Sequence, residues 1–234
     1  MTTREGKRIS FIVPSRGRSK ELAESVRSIM DNAACPDAVE LVARLDLDDA
    51  ALAHYGTELQ GRADVVGVVG PPRERYFSLP WFFEEAARQA VGSRWLVFWN
   101  DDMTMETKGW DTAMDSAGGG ARLAVVTGRL HRGTDYTSQC QYACCAVTRE
   151  IYEACGRICL GDDPMDSVDR VWAEFCRVAG CERTAAYEIG HTQDHATPDR
   201  DKFYRDIGTA WEAHKLRWKN VAERYARMCM DKLK

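Results

Sequence analysis

Trp95-Leu-Val-Phe-Trp99 runs without a break into Asn100-Asp-Asp102, and this stretch decides how the chain is read. Five apolar residues in succession are a buried strand. A buried strand that ends in adjacent carboxylates delivers them to the rim of a sheet. In open α/β sheets, ligands bind at the rim formed by the C-terminal ends of the strands. Two carboxylates there suit a hard divalent cation that completes its shell with diphosphate and water oxygens. The competing structural reading is that Asp101 or Asp102 caps the next helix.

The residues upstream repeat the arrangement. Ile9-Ser-Phe-Ile-Val13 is an apolar strand closed by Pro14, and Ser15-Arg-Gly-Arg18 follows it. Ser19 then stands as N-cap of a helix with Leu22, Val26, Ile29 and Met30 at helical spacing. Two guanidinium groups ahead of a helix N-terminus suit phosphate oxygens, with a solvated loop as the alternative. A second strand over 39–45 runs into Arg44-Leu-Asp-Leu-Asp-Asp49. A carboxylate there can accept from a base or a ribose, or simply cap a helix. A third strand over 65–69 is closed by Gly70-Pro-Pro72, with Arg73 and Arg75 beyond, and a helix over roughly 80–91 stops at Gly92.

Downstream, the pattern predicts a helix over 110–116, a strand over 123–127 and irregular chain over 128–146. A helix over 167–179, a strand over 182–189 and a long helix over 202–232 complete it. Strands alternating with helices specify an α/β fold, a mostly parallel sheet flanked by helices, with a C-terminal helical extension. The division expected is one domain over 1–200 and a packed helix over 201–234.

Composition narrows the class. The 234 residues are 44% hydrophobic and 29% charged, an ordinary globular balance. No apolar run approaches the ~20 residues that span a bilayer. The start of the chain lacks the apolar core of a secretory signal. Nine cysteines without a framework spacing point to a reducing, cytoplasmic setting. Zinc sites want paired Cys-x₂-Cys spacing, so Cys140, Cys144, Cys145, Cys155 and Cys159 read as buried apolar residues. A net charge of −4 argues against a global pull toward nucleic acid. The basic residues of the last helix, Lys215, Arg217, Lys219, Arg224, Arg227 and Lys232, read as a solvated face with intervening acids.

Taken in order, Pro14-Ser15 with Arg16 and Arg18, then Asp46 and Asp48, then Asn100-Asp101-Asp102, resemble the nucleotide-binding half of GT-A fold glycosyltransferases similar to family 2. The resemblance covers 9–105 well and 106–200, the acceptor half, more loosely. It implies a Rossmann-like GT-A domain, a UDP- or GDP-sugar donor, and Mn²⁺ or Mg²⁺ as cofactor. Pro14, Ser15, Arg16, Arg18, Asp46, Asp48, Arg73 and Asp101 are the implied donor contacts, and Asp102 and His191 the metal ligands. Asp169 is the implied general base of an inverting hexosyl or pentosyl transfer, with Asp162, Asp163 and Asp166 as rivals. Two positions depart from the pattern: Asn100 stands where the metal motif has Asp, and Glu84-Glu85 replace an expected Asn.

The acceptor stays open at this point. Compact enzymes of this kind resemble bacteriophage glycosyltransferases, some of which modify hydroxymethylated pyrimidines in DNA inside an infected bacterial host. On that reading Arg129-Leu-His-Arg132 is a strand-contacting loop. A cell-surface or lipid-linked glycan is the alternative acceptor. A nucleotidyltransferase and a non-catalytic sugar-nucleotide-binding module are the readings from other classes.

Overall fold

The computed structural model describes residues 8–60, 62, 64–72, 78–132, 135–136, 141–161, 168–191 and 211–233. Four strands form its parallel half: β1 (Ile9–Ser15), β2 (Val39–Asp46), β3 (Val65–Gly70) and β4 (Trp95–Phe98). Between them lie α1 (Ser19–Asn32), α2 (Leu52–Glu58) and α3 (Leu79–Gln89). The second half holds β5 (Met103–Met105), α4 (Trp110–Gly118), β6 (Val125–Arg132), β7 (Asp135–Tyr136), β8 (Ala146–Thr148), α5 (Arg149–Cys155), α6 (Val168–Ala179), β9 (Glu182–His191) and α7 (Trp211–Leu233). One sheet unites the strands in the order β3-β2-β1-β4-β8-β6-β9-β5, with β7 on β6. The long pairings, β1 with β2, β2 with β3 and β6 with β9, are parallel, while β8 and β5 join antiparallel.

Both faces of the sheet are covered, which is why β2 is buried along its whole length. On one face α1 presents Leu22, Val26, Ile29 and Met30, one apolar stripe at i, i+4, i+7 and i+8. There Phe11 meets Trp99 and Trp110 edge-on at 5.1 and 5.2 Å between ring centroids. On the other face an aromatic chain runs Phe83–Phe98–Trp172–Phe175, at 5.1, 6.0 and 5.0 Å. Each such side chain contributes roughly 1.5–3 kcal/mol on burial, so these chains fix α3 and α6 against β4. The terminal helix α7 closes this face with Trp218, Val221, Ala222, Ala226 and Cys229, packed on α5 and α6.

Several expectations shift. The first strand does not stop at Pro14 but carries on to Ser15. Pro14 lies beyond the last β1–β4 pair, Ile12↔Phe98, where a missing N–H removes no bond to β4. Ser19 is the first helical residue of α1 rather than its cap; Arg18 takes the cap position and no side chain caps there. The stretch 128–146 is not irregular throughout: β6 runs on to Arg132, β7 pairs back on it, and β8 begins at Ala146. The Arg129-Leu-His-Arg132 segment is therefore strand, and His131 is bonded to Glu106. Short elements α2, β5, β8 and α5 carry too few residues for periodicity to reveal them. The long helix is described from Trp211 on.

Trp95, Trp99 and Trp110 are core residues, while Trp81 is exposed. On α7, Arg227 pairs with Glu223 at 3.0 Å and Lys232 donates to the Ala154 carbonyl at 2.7 Å. Among the described residues the cysteines are free thiols and no helix is long and apolar enough to cross a membrane.

Candidate active site

The site grows from the tips of β1, β2 and β4. Ser15 Oγ, at the end of β1, donates to Asp101 Oδ2 at 2.7 Å and lies 3.0 Å from Tyr55 Oη. Arg18, at the start of α1, reaches Asp101 Oδ1 at 3.0 Å and Asp102 Oδ2 at 3.1 Å with the same Nη1. The turn that aims it is held by Gly17 N donating to Asp49 Oδ2 at 2.7 Å and Arg18 N donating to Tyr55 Oη at 3.2 Å. Gly17 sits at φ +71°, in the left-handed region that glycine occupies without strain.

The β4 rim is completed from the far end of the sheet. Immediately after Asp102 the chain enters β5, which pairs antiparallel with β9 in the register Met103↔His191. That pairing sets His191 Nε2 3.1 Å from Asp102 Oδ1. His191 Nδ1 is buried with no hydrogen-bond partner among the described residues. A carboxylate oxygen and an imidazole nitrogen at one point form a donor set that suits Mn²⁺ and related divalent ions. The residues present therefore fit the cation that the sequence resemblance implies.

The adjacent carboxylates behave differently. Burial, partly offset by Arg18 and Ser15, pushes the Asp101 carboxyl up to about 6. Burial acts on Asp102 too, but the His191 hydrogen bond and the charges of His191 and Arg18 outweigh it and hold the group below the ordinary range. Asp102 thus stays ionised through the neutral range, and Asp101 lies nearer to neutrality.

A second cluster sits at the tip of β2. Arg16 reaches Asp46 at 2.7 Å and Asp48 at 2.5 Å. Those hydrogen bonds, to Asp48 first, raise the Arg16 guanidinium further above its usual value and lower Asp48. Asp46 is buried and also accepts from Arg44 at 2.8 Å. Arg44 itself is 1% exposed, lies 4.6 Å over the Phe82 ring, and donates to Pro71 O at 2.7 Å. A Cβ at Gly70 would come within 2.8 Å of its Nη2, so that glycine makes room for the guanidinium.

Asp169 begins α6 half-buried, and its Oδ1 accepts from Arg170 N at 2.9 Å. One turn on, Trp172 packs on Phe98, the last residue of β4. Burial raises the Asp169 carboxyl above the ordinary range. Arg73, Arg75, Asp162, Asp163 and Asp166 lie outside the described residues.

The structure thus brings together Ser15, Arg18, Asp101, Asp102 and His191 in one network, and Arg16, Asp46 and Asp48 in a neighbouring one. Half-buried Pro14 contributes backbone shape. Tyr55, Asp49 and Arg44 were missed as site residues. Arg44 carried a signal, a charged residue inside an apolar strand with acids on either side of the rim; Tyr55 carried none.

No family model and no curated protein matches this sequence. Its fold does have relatives. S. aureus TarS 1–349, solved with UDP, superposes with a TM-score of 0.61 at 12% identity, over 91% of this chain and 69% of that one. GalNAc-T7, solved with UDP, GalNAc and Mn²⁺, superposes with a TM-score of 0.67 at 11% identity, over 97% of this chain and 57% of that one. The fold is that of the GT-A glycosyltransferases: a mostly parallel central sheet flanked by helices, here with a C-terminal helix.

Proposed function

We propose that this protein is a metal-dependent, inverting glycosyltransferase that moves a sugar from a UDP- or GDP-sugar to an acceptor hydroxyl. The observation that carries the reading is the convergence of Asp102 and His191 at the β4 rim. The bound UDP of TarS and the UDP and Mn²⁺ of GalNAc-T7, on the same fold, support it.

In this reading Asp102 and His191 hold a divalent cation, and Asp101 lies next to it on a carboxyl that Ser15 and Arg18 orient. The cation supplies charge neutralisation for the departing nucleoside diphosphate. Arg18 sits within reach of both carboxylates and of the space in front of them, where its fork suits phosphate oxygens. Asp46 and Asp48, with Arg16 between them, form the polar wall for base and ribose, and Arg73 is assigned to the donor from sequence alone. Asp169 takes the proton of the acceptor hydroxyl as its oxygen bonds to the anomeric carbon and the diphosphate leaves. A single displacement of this kind inverts the centre. A raised carboxyl is a better proton acceptor than an ordinary one, which suits the role.

For the acceptor, a hydroxymethylated pyrimidine in DNA and a surface or lipid-linked glycan are the two expectations. The test is a transfer assay with Mn²⁺, a panel of UDP- and GDP-sugars, and both hydroxymethylcytosine DNA and oligosaccharides. The reading predicts a sugar-sized mass gain on one acceptor class, absent without metal and in Asp169→Asn. Donor binding with no turnover on any acceptor would point to a binding module instead. Pyrophosphate release from a nucleoside triphosphate and a sugar phosphate would make the protein a nucleotidyltransferase.

A further inference from the structure

We propose that Glu106, His131 and Glu188 form a second divalent-cation site, for a zinc-like ion, on the opposite face of the β5–β9–β6 corner from His191. One ligand atom from each lies within 4.8 Å of the other two. The inference is independent of the transferase reading.

Strand alternation separates the two places. His191, Ile189 and Tyr187 share one face of β9, and Ile189 and Tyr187 belong to the core; Glu188 and Gly190 point the other way. The register brings in the rest. Arg129 and His131 lie opposite Glu188 and Gly190, and Glu106 N donates to Glu188 O at 3.0 Å. His131 and Glu188 therefore stand on strands, and Glu106, one residue past β5, is tied to β9 by its own backbone hydrogen bond. His131 Nε2 is 2.6 Å from Glu106 Oε2.

Two features go beyond proximity. Glu106 and Glu188 bring two carboxylates together, and like charges held side by side on a sheet destabilise it; Arg129, opposite Glu188 in the register, supplies one compensating charge for the two. Gly190 supplies the second. It is absent from the residues with positive φ, so its backbone does not require glycine. A Cβ there would instead overlap Glu106 Oε1 and come within 2.7 Å of Thr104 Oγ1. The glycine opens a recess in the sheet surface into which the Glu106 carboxylate folds toward His131.

The donor set selects the ion class. One imidazole and two carboxylates make a three-ligand site of the borderline kind, for which zinc outcompetes manganese. Bonds of ~2.1 Å to each ligand set ligand atoms roughly 3–3.5 Å apart, within small side-chain adjustments of the spacing seen. Three protein ligands leave a position for water or a small anion. Glu188 also lines a cavity of 420 Å³ with Thr107, Arg129, Thr184 and Tyr187.

The test is calorimetric titration of ZnCl₂ into the full chain carrying Asp102→Ala, which disables the rim site. One strong equivalent of zinc is expected to remain. Adding His131→Gln is expected to weaken it by at least about tenfold, the least that losing even an outer-shell partner of a metal costs. Glu188→Gln, a milder surface change, carries the same expectation should His131→Gln fail to fold by circular dichroism. No zinc uptake by the Asp102→Ala chain overturns the proposal. So does uptake that His131→Gln and Glu188→Gln leave unchanged, which would assign the zinc to thiols.

Discussion

His191 Nε2 lies 3.1 Å from Asp102 Oδ1 although 89 residues separate them in the chain. The contact exists because β5 follows the rim carboxylates directly and pairs with the last strand of the sheet in the register Met103↔His191. The β5 end of the sheet is thereby brought back to the place in its middle where β4 delivers its acids. Either residue alone is an unremarkable surface group by type; together they form a donor pair whose chemistry suits a divalent cation.

Removing either one is expected to abolish metal-dependent nucleoside diphosphate release. Several kcal/mol of charge stabilisation are at stake, so Asp102→Ala and His191→Ala should each lower the rate on the order of a hundredfold or more. Release rates at saturating Mn²⁺ check this. A His191→Ala rate within a few-fold of the parent would remove His191 from the site.

Arg18 compensates the two carboxylates in the absence of a cation. Arg18→Ala should therefore destabilise the metal-free chain, by about 1.5–3 kcal/mol for lost hydrogen bonds to charged groups. Mn²⁺ should then raise the melting temperature of Arg18→Ala more than that of the parent, because the ion takes over the guanidinium's role. Equal metal responses in the two chains would contradict this.

The pH dependence follows from Asp169. Its carboxyl is raised by burial, so it is protonated to a higher pH than an ordinary carboxylate. A base must be ionised to act, so activity should fall as pH drops through that raised value, above the usual carboxylate range. Stability runs the other way. The folded chain holds the proton more tightly than the unfolded one, so this group's contribution is full below the unfolded value and is lost as pH rises through the folded one. At neutral pH, Asp169→Asn should abolish transfer while leaving the melting temperature equal or higher. A lower melting temperature in the variant would mean that the ionised carboxylate is structural.

A packing prediction tests the fold itself. A Cβ at Gly118 would overlap the Trp95 ring, and Trp95 is fully buried at the start of β4. Gly118→Ala should cost about 1–3 kcal/mol through overpacking, read by denaturant unfolding. Ala at Gly67, which has open space around its Cβ position, serves as the control and should cost far less.

How much of this the sequence carried depends on the length of each signal. The runs at residues 9–13, 39–45 and 95–99 are dominated by apolar residues, the last of them without interruption, and all three form strands of the parallel half. The rim residues were legible because a strand's end dictates where its next residues go: Ser15, Arg18, Asp46, Asp101 and Asp102 all follow that rule. His191 was reached through the family resemblance, since its partner lies across a β5 strand of three residues, too short for periodicity to show. The β6 extension was hidden by Gly128, Arg129 and His131, which read as loop. Gly128 is there because the Tyr187 ring occupies the space its Cβ would need. A propensity argument counts that glycine as a breaker, while tertiary packing counts it as a fit. Tyr55 and Arg44 act through contacts made only once β1, α2 and β2 are assembled.

Nucleotide binding is the sharpest check that Asp102 and His191 hold a divalent cation together with a nucleoside diphosphate. Calorimetric titration of UDP and GDP into the protein, with and without Mn²⁺, and again into Asp102→Ala, is the measurement. At least one of the two nucleotides is expected to bind in a way that requires Mn²⁺ and disappears in Asp102→Ala. No binding of either, or binding indifferent both to Mn²⁺ and to Asp102, would contradict it.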